Sequence, residues 1–236
     1  MVIKMMRKSI EAMAAAKGLS RRDFIKAVAA GTVAVSAVSM LGACSTPSAP
    51  EAKGTGGGHE GETYANLNTA VDGETNAYTK YDAFAKKAEA DGYPQVARLF
   101  RATADAERIH AGDEFDLAYA MDITAVEATP GEPAPGTTAE NLQTAIDGET
   151  YEYSEMYPEF LKIAEEEKLD AAAKIFNRAL QAEKCHAVNY KKYLDNLDNL
   201  EEENIYLCPT CGYIMLGVNE GTCPVCLVNA KAFRKY

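Results

Sequence analysis

The sequence predicts an all-α four-helix bundle with a long central crossover, followed by a small C-terminal domain that holds a metal ion with four cysteines. Three observations predict this fold class. Residues 62–195 are rich in Ala, Glu, Lys, Leu and Tyr and contain few helix breakers. The two halves of that stretch repeat each other in sequence. Two Cys-x-x-Cys motifs, separated by 11 residues, follow it.

Composition excludes several broad classes of protein. The chain has 236 residues, 47% of them hydrophobic and 25% charged, which is typical of a soluble globular protein and not of a disordered one. Its formal net charge is −11, and an acidic balance argues against nucleic acid as a partner, since phosphate binding needs clustered Lys and Arg. The charge is uneven, because residues 1–43 carry +5 and the remainder therefore carries −16.

The basic N-terminal segment predicts export. Arg21 and Arg22 precede an uncharged run at residues 27–43, which is shorter and less apolar than the roughly 20 apolar residues of a membrane-spanning helix. Residues 1–43 therefore resemble a twin-arginine signal peptide that is removed. Residues 41–44, Leu-Gly-Ala-Cys, resemble a lipobox in which Cys44 is lipidated.

This interpretation predicts a protein anchored to a membrane on the extracytoplasmic side of the cell envelope. A retained membrane anchor and a soluble secreted product are the two alternatives. The Gly-, Ser- and Pro-rich residues 44–61 are predicted to form a flexible linker.

Breaks in the helical pattern divide the middle of the chain into four helices. They fall at residues 91–94, 122–138 and 168–170, and predict helices near 62–90, 95–121, 139–167 and 170–195. The first and last links are short, so each pair of helices should form an antiparallel hairpin. The 17-residue central link is long enough to cross a bundle. One long crossover is the ferritin-like arrangement, predicted here over residues 62–195.

The repeat supplies a set of metal-binding side chains. Residues 70–75 match residues 145–150 at an offset of 75, and residues 106–110 match residues 182–186 at an offset of 76. Each half therefore offers one Glu on its first helix and a Glu-x-x-His pair on its second, and residues three apart share a helix face. The candidate ligands are Glu74, Glu107, His110, Glu149, Glu183 and His186.

Metal binding explains this set better than packing does. Four carboxylates buried without partners would cost several kcal/mol each, as an order of magnitude, whereas two divalent cations remove that cost. The same pattern defines di-iron carboxylate bundles. The alternative is that these Glu residues simply lie on exposed helix faces. The spacing alone does not decide whether Glu152 is a seventh ligand or an ordinary solvated Glu. It also leaves open whether Tyr81 and Tyr157 hydrogen-bond ligand carboxylates or only fill the core.

The four cysteines of the tail predict a second metal site at residues 196–236. Cys208, Cys211, Cys223 and Cys226 have the spacing at which four thiolates surround one zinc or iron ion tetrahedrally. So short a domain buries too little core to fold without such an ion. A pair of disulfides is the alternative, because an exported protein meets oxidising surroundings.

Together these motifs resemble those of rubrerythrins, over about residues 62–236. Residues 148–153, 182–186 and 208–213 carry the resemblance. It implies a ferritin-like di-iron bundle with a rubredoxin-like domain whose four cysteines bind one iron, where zinc would also fit. It further implies that Glu152 is a ligand, that Tyr81 and Tyr157 hydrogen-bond ligand carboxylates, and that one iron alternates between Glu152 and His110 as its oxidation state changes.

The resemblance implies an oxidoreductase that reduces hydrogen peroxide to water, with electrons passing from the rubredoxin iron to the di-iron site. The electron donor is unidentified. A homodimer is expected, because tail and bundle in this family often exchange electrons between subunits. Two other functions stay open. One is a ferroxidase or iron-handling protein, and the other is a non-catalytic surface lipoprotein with a zinc-filled tail.

Overall fold

Five α-helices and a three-stranded sheet build the described part of the protein. The structure is a computed structural model, and it describes residues 61–121, 128 and 130–236. The helices are α1 (Glu62–Ala90), α2 (Pro94–Ala120), α3 (Thr138–Tyr151), α4 (Tyr157–Glu166) and α5 (Asp170–Asp195). A π-helix (Glu152–Met156) joins α3 to α4, so that α3, the π-helix and α4 together form the third rod of the bundle.

Local sequence signals fix where these helices begin and end. Gly92, with a φ of +87°, makes the turn after α1, and Pro94 opens α2 at the position where its missing N–H costs nothing. Thr137 and Glu140 form a capping box at the start of α3, in which each side chain accepts the other residue's backbone N–H. The helix ends lie within one residue of those predicted from sequence.

The π-helix was not predicted, and it explains an irregularity in the repeat. Glu149 follows Glu74 by 75 positions, whereas Tyr157 follows Tyr81 by 76. The extra residue therefore lies between Glu149 and Tyr157, which is where the π-helix lies. A π-turn accommodates one more residue than an α-turn, so Tyr157 returns to the face that Tyr81 occupies in the other half.

The tail is a small antiparallel sheet that packs against the bundle. Its strands are β1 (Ile205–Leu207), β2 (Ile214–Leu216) and β3 (Arg234–Lys235), with β1 in the centre. Tyr206 pairs with Met215 on one side and with Lys235 on the other. Ile205, Leu207 and Ile214 are fully buried in the cluster that also contains aromatic residues of the bundle, so the tail shares the bundle's core.

The predicted fold class is confirmed: an all-α ferritin-like bundle with a long crossover, and a rubredoxin-like four-cysteine tail. The signal peptide at residues 1–43, Cys44 and nearly all of the linker lie outside the described residues. The boundaries of the four predicted domains stay predictions. Within the described ranges, no helix is long and apolar enough to cross a membrane.

Candidate metal centres

Six fully buried side chains meet in the middle of the bundle. Each of the four rods contributes to them, and all six are the ligands predicted from the repeat: Glu74, Glu107, His110, Glu149, Glu183 and His186. Regular helix geometry places them together, since Glu107 and Glu183 lie one turn before the histidine of their own helix. The structure brings these six residues into two overlapping groups.

The first group surrounds the Nδ1 atom of His110. This atom lies 2.7 Å from Glu183 Oε1, 3.1 Å from Glu107 Oε2 and 3.8 Å from Glu74 Oε1. Nitrogen and oxygen ligands about 2.1 Å from one ion are roughly 3 to 3.5 Å apart. The three carboxylates and the imidazole are therefore spaced as the ligands of a single cation.

The second group surrounds His186 Nδ1 in the same way. Glu183 Oε2 lies at 2.8 Å, and Glu107 Oε1 and Glu149 Oε2 both lie at 3.5 Å. Glu107 and Glu183 thus belong to both groups, and each directs one oxygen towards each histidine. These two carboxylates are placed to bridge two ions, while Glu74 and Glu149 each serve one.

Unpartnered polar atoms show that the protein alone does not complete this cluster. Among the described residues, eight buried ligand atoms have no hydrogen-bond partner: one oxygen each of Glu74 and Glu149, both oxygens of Glu107 and Glu183, and Nδ1 of both histidines. Buried polar atoms are normally satisfied, because leaving one unpaired costs about 1–3 kcal/mol. The donor set of carboxylate oxygens and imidazole nitrogens therefore fits two divalent ions.

Both histidines are oriented for metal binding by the backbone of the tail. Nε2 of His110 lies 3.1 Å from the carbonyl oxygen of Cys211, and Nε2 of His186 lies 2.9 Å from that of Gly212. A carbonyl can only accept, so each Nε2 carries the proton and donates. Each Nδ1 then presents its lone pair to the cluster, which is the usual arrangement of a ligating histidine.

The titration of these groups reflects crowded negative charge. Burial, followed by the charge of Glu183, raises the pKa of Glu74 to about 7. Burial lowers the pKa of His110, but the carboxylates of Glu183 and Glu107 outweigh it and raise that pKa well above its usual value. Without cations the cluster takes up protons to neutralise itself, and bound cations would replace those protons.

Two tyrosines hydrogen-bond the carboxylates that belong to only one donor group, and each tyrosine lies in the other half of the repeat from the Glu that it contacts. Tyr81 Oη donates to Glu149 Oε1 at 2.7 Å, and Tyr157 Oη donates to Glu74 Oε1. Both rings are buried, and burial raises the pKa of both hydroxyls, so each remains a phenol that can donate. Each tyrosine thus contacts one oxygen of a candidate ligand, and the other oxygen, Glu149 Oε2 or Glu74 Oε2, has no hydrogen-bond partner.

Glu152 lies outside both donor groups. It is partly exposed at the first position of the π-helix. Burial of its carboxyl group, and then the charges of Glu74 and Glu149, raise its pKa well above the ordinary value. Its role as a ligand stays a prediction.

Sequence reasoning missed Glu114, a fully buried carboxylic acid on α2. Glu114 Oε1 lies 2.8 Å from Tyr157 Oη, one hydrogen bond away from the ligand Glu74. Its position four residues after His110 puts it on the ligand face of the helix, and that spacing was the available signal. The other half of the repeat has Tyr190 at the equivalent position, so the comparison of halves did not reveal it.

The four cysteines of the tail form the second candidate centre. Their Sγ atoms lie 3.5 Å apart for Cys208 and Cys226, 3.6 Å for Cys208 and Cys211, and 3.5 Å for Cys211 and Cys223. Sulfur atoms about 2.3 Å from a central ion are roughly 3.8 Å apart in a tetrahedron. All four are free thiols, so the alternative of two disulfides was wrong. Four thiolates in a tetrahedral arrangement fit one metal ion, and this ligand type favours iron or zinc.

The two centres meet at the interface between tail and bundle. Cys185, which lies between the ligands Glu183 and His186, donates its thiol hydrogen to the carbonyl of Ile214 at 3.0 Å. The amide of Asn189 donates to the same carbonyl at 3.3 Å. Arg234 pairs with Asp105 at 3.2 Å, which ties the end of the tail to α2.

Comparison with known proteins agrees with this architecture. The family model described as Rubrerythrin matches residues 65–194. The chain belongs to the rubrerythrin family. It is 42% identical to nigerythrin of Nitratidesulfovibrio vulgaris over 176 residues, which cover 75% of this chain and 87% of nigerythrin. It is 37% identical to rubrerythrin of the same organism over 177 residues, which cover 70% of this chain and 88% of that protein.

Solved structures extend the similarity through the tail. A structure of nigerythrin in its fully reduced, all-ferrous state superposes with a TM-score of 0.72 at 37% identity, covering 84% of this chain and all of nigerythrin. The family therefore accounts for both centres: a di-iron site held by carboxylates and histidines, and a rubredoxin-type iron site held by four cysteines. This rubrerythrin has both donor sets within one compact unit, residues 61–236.

Proposed function

We propose that this rubrerythrin reduces hydrogen peroxide to water at the di-iron site, with electrons supplied through the iron of the tail. The observation that supports the proposal most directly is the pair of hydrogen bonds that join the two centres. The carbonyls of Cys211 and Gly212, at the four-cysteine site, accept from the histidines of the di-iron site at 3.1 and 2.9 Å.

The bonds from Cys211 to His110 give a short connection between the centres. It runs from the Cys211 sulfur through its own backbone carbonyl, across one hydrogen bond, and through the imidazole ring to Nδ1. When bound, the iron pair would supply two electrons to the peroxide, and the tail iron, which carries one electron at a time, would pass on two electrons in succession from the external donor. The overall reaction is H₂O₂ + 2e⁻ + 2H⁺ → 2H₂O, and both oxygen atoms of the peroxide leave as water.

The protein's own residues would keep the centre intact during this cycle. Glu107 and Glu183 belong to both donor groups, so they would remain ligands of both ions when the charge changes. Tyr81 and Tyr157 fix the terminal carboxylates by hydrogen bonds from buried hydroxyls. Such preorganised dipoles need not rearrange as electrons move, which keeps the barrier low.

Glu152 is proposed as the ligand that is exchanged when the centre is oxidised. Five carboxylates carry −5, against +4 for two ferrous and +6 for two ferric ions, so a fifth carboxylate favours the ferric pair and the neutral His110 favours the ferrous pair. Glu152 lies three residues after the ligand Glu149, at the start of the π-helix and outside both donor groups, and this position next to a ligand supports the exchange. Replacing Glu152 by Ala should alter the diferric absorption spectrum and slow peroxide turnover, and unchanged values would contradict the exchange.

The decisive experiment adds 1.5 equivalents of peroxide to the fully reduced, iron-loaded protein, because its three ferrous ions hold three electrons and each peroxide accepts two. Prompt reoxidation of both iron centres by peroxide, with slow reoxidation by dioxygen, supports peroxide reduction. Reoxidation by dioxygen alone would reject it in favour of ferroxidase activity. Iron held by four thiolates is red and bleaches on reduction, whereas zinc in the same site is colourless. A colourless tail in the oxidised protein would therefore indicate zinc and would contradict electron supply through the tail.

We also propose the setting in which the protein acts. Residues 1–43 would direct export by the twin-arginine route, and lipidated Cys44 would anchor the protein on the extracytoplasmic side of a membrane. The partners would then be hydrogen peroxide, an electron donor of the envelope and a second copy of the chain in a homodimer. Radiolabelled palmitate incorporation that is lost in Cys44→Ser tests the anchor, and an unlabelled wild-type protein would contradict it.

A further inference from the structure

Two side chains of α5 bind the tail through a backbone carbonyl that neither metal centre uses. The Cys185 thiol donates to the carbonyl oxygen of Ile214 at 3.0 Å, and the Asn189 amide donates to the same oxygen at 3.3 Å. The amide nitrogen of Asn189 also donates to Cys185 Sγ at 3.5 Å. A carbonyl oxygen has two lone pairs, so the two side chains together satisfy it.

The position of Ile214 in the sheet explains why its carbonyl needs donors from a side chain. It belongs to β2, which lies at the edge of the described sheet with β1 on one side and α5 on the other. Ile214 and Asn189 are both buried. A backbone carbonyl that is buried without a donor is unfavourable, and an edge strand has no neighbouring strand to supply one. The tail is therefore favoured in the one position on α5 where these donors meet Ile214.

The two donors flank the ligand histidine of the same helix. Cys185 and Asn189 are four residues apart and share a helix face, and His186 lies between them in the sequence. His186 Nε2 donates to the carbonyl of Gly212, two residues before Ile214, at 2.9 Å. Two residues of chain span at most about 7 Å, so fixing the Ile214 carbonyl restricts how far the Gly212 carbonyl can move from His186.

The other half of the repeat lacks these donors. At the offset of 76, the positions on α2 that are equivalent to Cys185 and Asn189 are Ile109 and Asp113. An aliphatic side chain and an ionised carboxylate cannot donate a hydrogen bond. The two donors on α5 are therefore not part of the repeated ligand set, and their contacts connect them instead to the tail.

We propose that Asn189 is a positioning residue that, together with Cys185, fixes the register of the tail on α5 and so keeps the Gly212 carbonyl on His186. Asn189 and Cys185 belong to neither donor group of the di-iron site. A shift of the tail by one helical turn, about 5.4 Å, would move both carbonyls out of reach of their donors. The consequence of this register for electron transfer rests on the proposed function, whereas the register itself does not.

Proton NMR of the fully reduced, iron-loaded, full-length protein tests the register without turnover. The ring N–H proton of a histidine bound to ferrous iron gives a strongly shifted signal, and it exchanges with solvent when its hydrogen bond opens. Asn189→Leu and Cys185→Ala each remove one donor to Ile214, so the His186 proton should exchange about 2- to 10-fold faster in each variant. Cys185→Ser keeps a donor and should exchange as slowly as wild type. Val188→Ala, a control on the same helix at a side chain that is 63% exposed, should leave the rate unchanged.

Two results would overturn the proposal. One is exchange at the wild-type rate in Asn189→Leu, or in Cys185→Ala where Asn189→Leu does not assemble with iron. The other is equally fast exchange in Cys185→Ser and Cys185→Ala, because the effect would then come from the size of the side chain and not from its hydrogen bond.

Oxidation by peroxide then tests the consequence for electron transfer. The red colour of the tail iron should return more slowly in Asn189→Leu than in Val188→Ala, each measured relative to oxidation of the di-iron site in the same variant. The midpoint potential of the tail iron should stay the same, because none of its ligands is replaced. Equal relative rates in the two variants would overturn the link between register and electron transfer. Failure of wild type itself to react with peroxide would refute the proposed function, while the exchange of the His186 proton would still decide the role of Asn189.

Discussion

Replacing Gly212 by Ala tests whether close contact between tail and bundle controls electron transfer. Gly212 follows the metal ligand Cys211, adopts a φ of +73°, and lies against the bundle. A Cβ atom there would lie 3.0 Å from His110 Cε1 and 3.2 Å from Ala106 Cβ, and closer still to His110 Nε2. The ordinary separation of such atoms is about 3.5 to 4.0 Å, so the tail would have to retreat by about 1 Å.

Gly217 offers a matched control for the backbone effect. Its φ is +81°, but a Cβ atom added there meets nothing within 4 Å. Both substitutions place Ala in the left-handed region, which costs about 1–2 kcal/mol. Gly217→Ala should therefore destabilise the tail by about that amount and nothing more. Gly212→Ala should add the cost of weakening the hydrogen bonds to both ligand histidines, about 0.5–1.5 kcal/mol each.

The assay measures how fast the tail iron is oxidised after peroxide has reacted with the reduced protein. The red colour of the ferric four-thiolate iron should return more slowly in Gly212→Ala than in Gly217→Ala, each measured relative to the rate at which peroxide oxidises the di-iron site of the same variant. Denaturant titration measures the stability of both variants. If the two variants transfer electrons equally fast, the contact at Gly212 does not limit the transfer, and the reasoning from the structure is wrong.

Three further predictions concern stability and metal binding. Tyr81→Phe removes the 2.7 Å hydrogen bond to Glu149. It should therefore lower the free energy of unfolding by about 1–2 kcal/mol, measured by chemical denaturation, and shift the visible absorption of the loaded di-iron site. Leu99 is fully buried, so Leu99→Ala should lower the free energy of unfolding by about 2–5 kcal/mol in the same denaturation assay. Leu227 is 73% exposed, and the control Leu227→Ala should change that free energy little. In the metal-free protein the pKa values of the ligand histidines are raised, and both histidines must lose a proton before they bind a metal ion. The affinity for cobalt(II), measured by titration, should therefore rise with pH, and a pH-independent affinity would contradict this.

The ligand set was predictable because helix geometry is regular. A Glu-x-x-His motif places two side chains on one face wherever it occurs in a helix, and its duplication at a near-constant offset showed which faces point inward. The structure places Glu107 and Glu183 between the two histidines, as the repeat indicates. The cysteine spacing was equally informative, because a Cys-x-x-Cys turn brings its two sulfur atoms together through local backbone geometry alone.

Features that depend on long-range contacts or on broken symmetry could not be predicted in the same way. Glu114 was missed because comparing the two halves identifies only what they share, and its counterpart is Tyr190. The π-helix left a trace in the sequence, the change of offset from 75 to 76 between Glu149 and Tyr157, but the offset alone does not say that a π-turn accommodates the extra residue. The contact of Gly212 with His110 depends on how the tail packs against the bundle, which no local pattern encodes.

The two halves of the repeat differ in what surrounds the two metal positions. The carbonyl that contacts His110 belongs to Cys211, which is itself a ligand of the tail metal, whereas His186 contacts Gly212, one residue further along the chain. Glu74, which Tyr157 contacts together with Glu114, belongs to the donor group of His110 and not to that of His186. The nearly symmetric ligand set would therefore hold two ions with similar ligands but different surroundings. If electrons pass from the tail as proposed, the backbone of Cys211 makes the position beside His110 the one that is connected most directly to the tail metal.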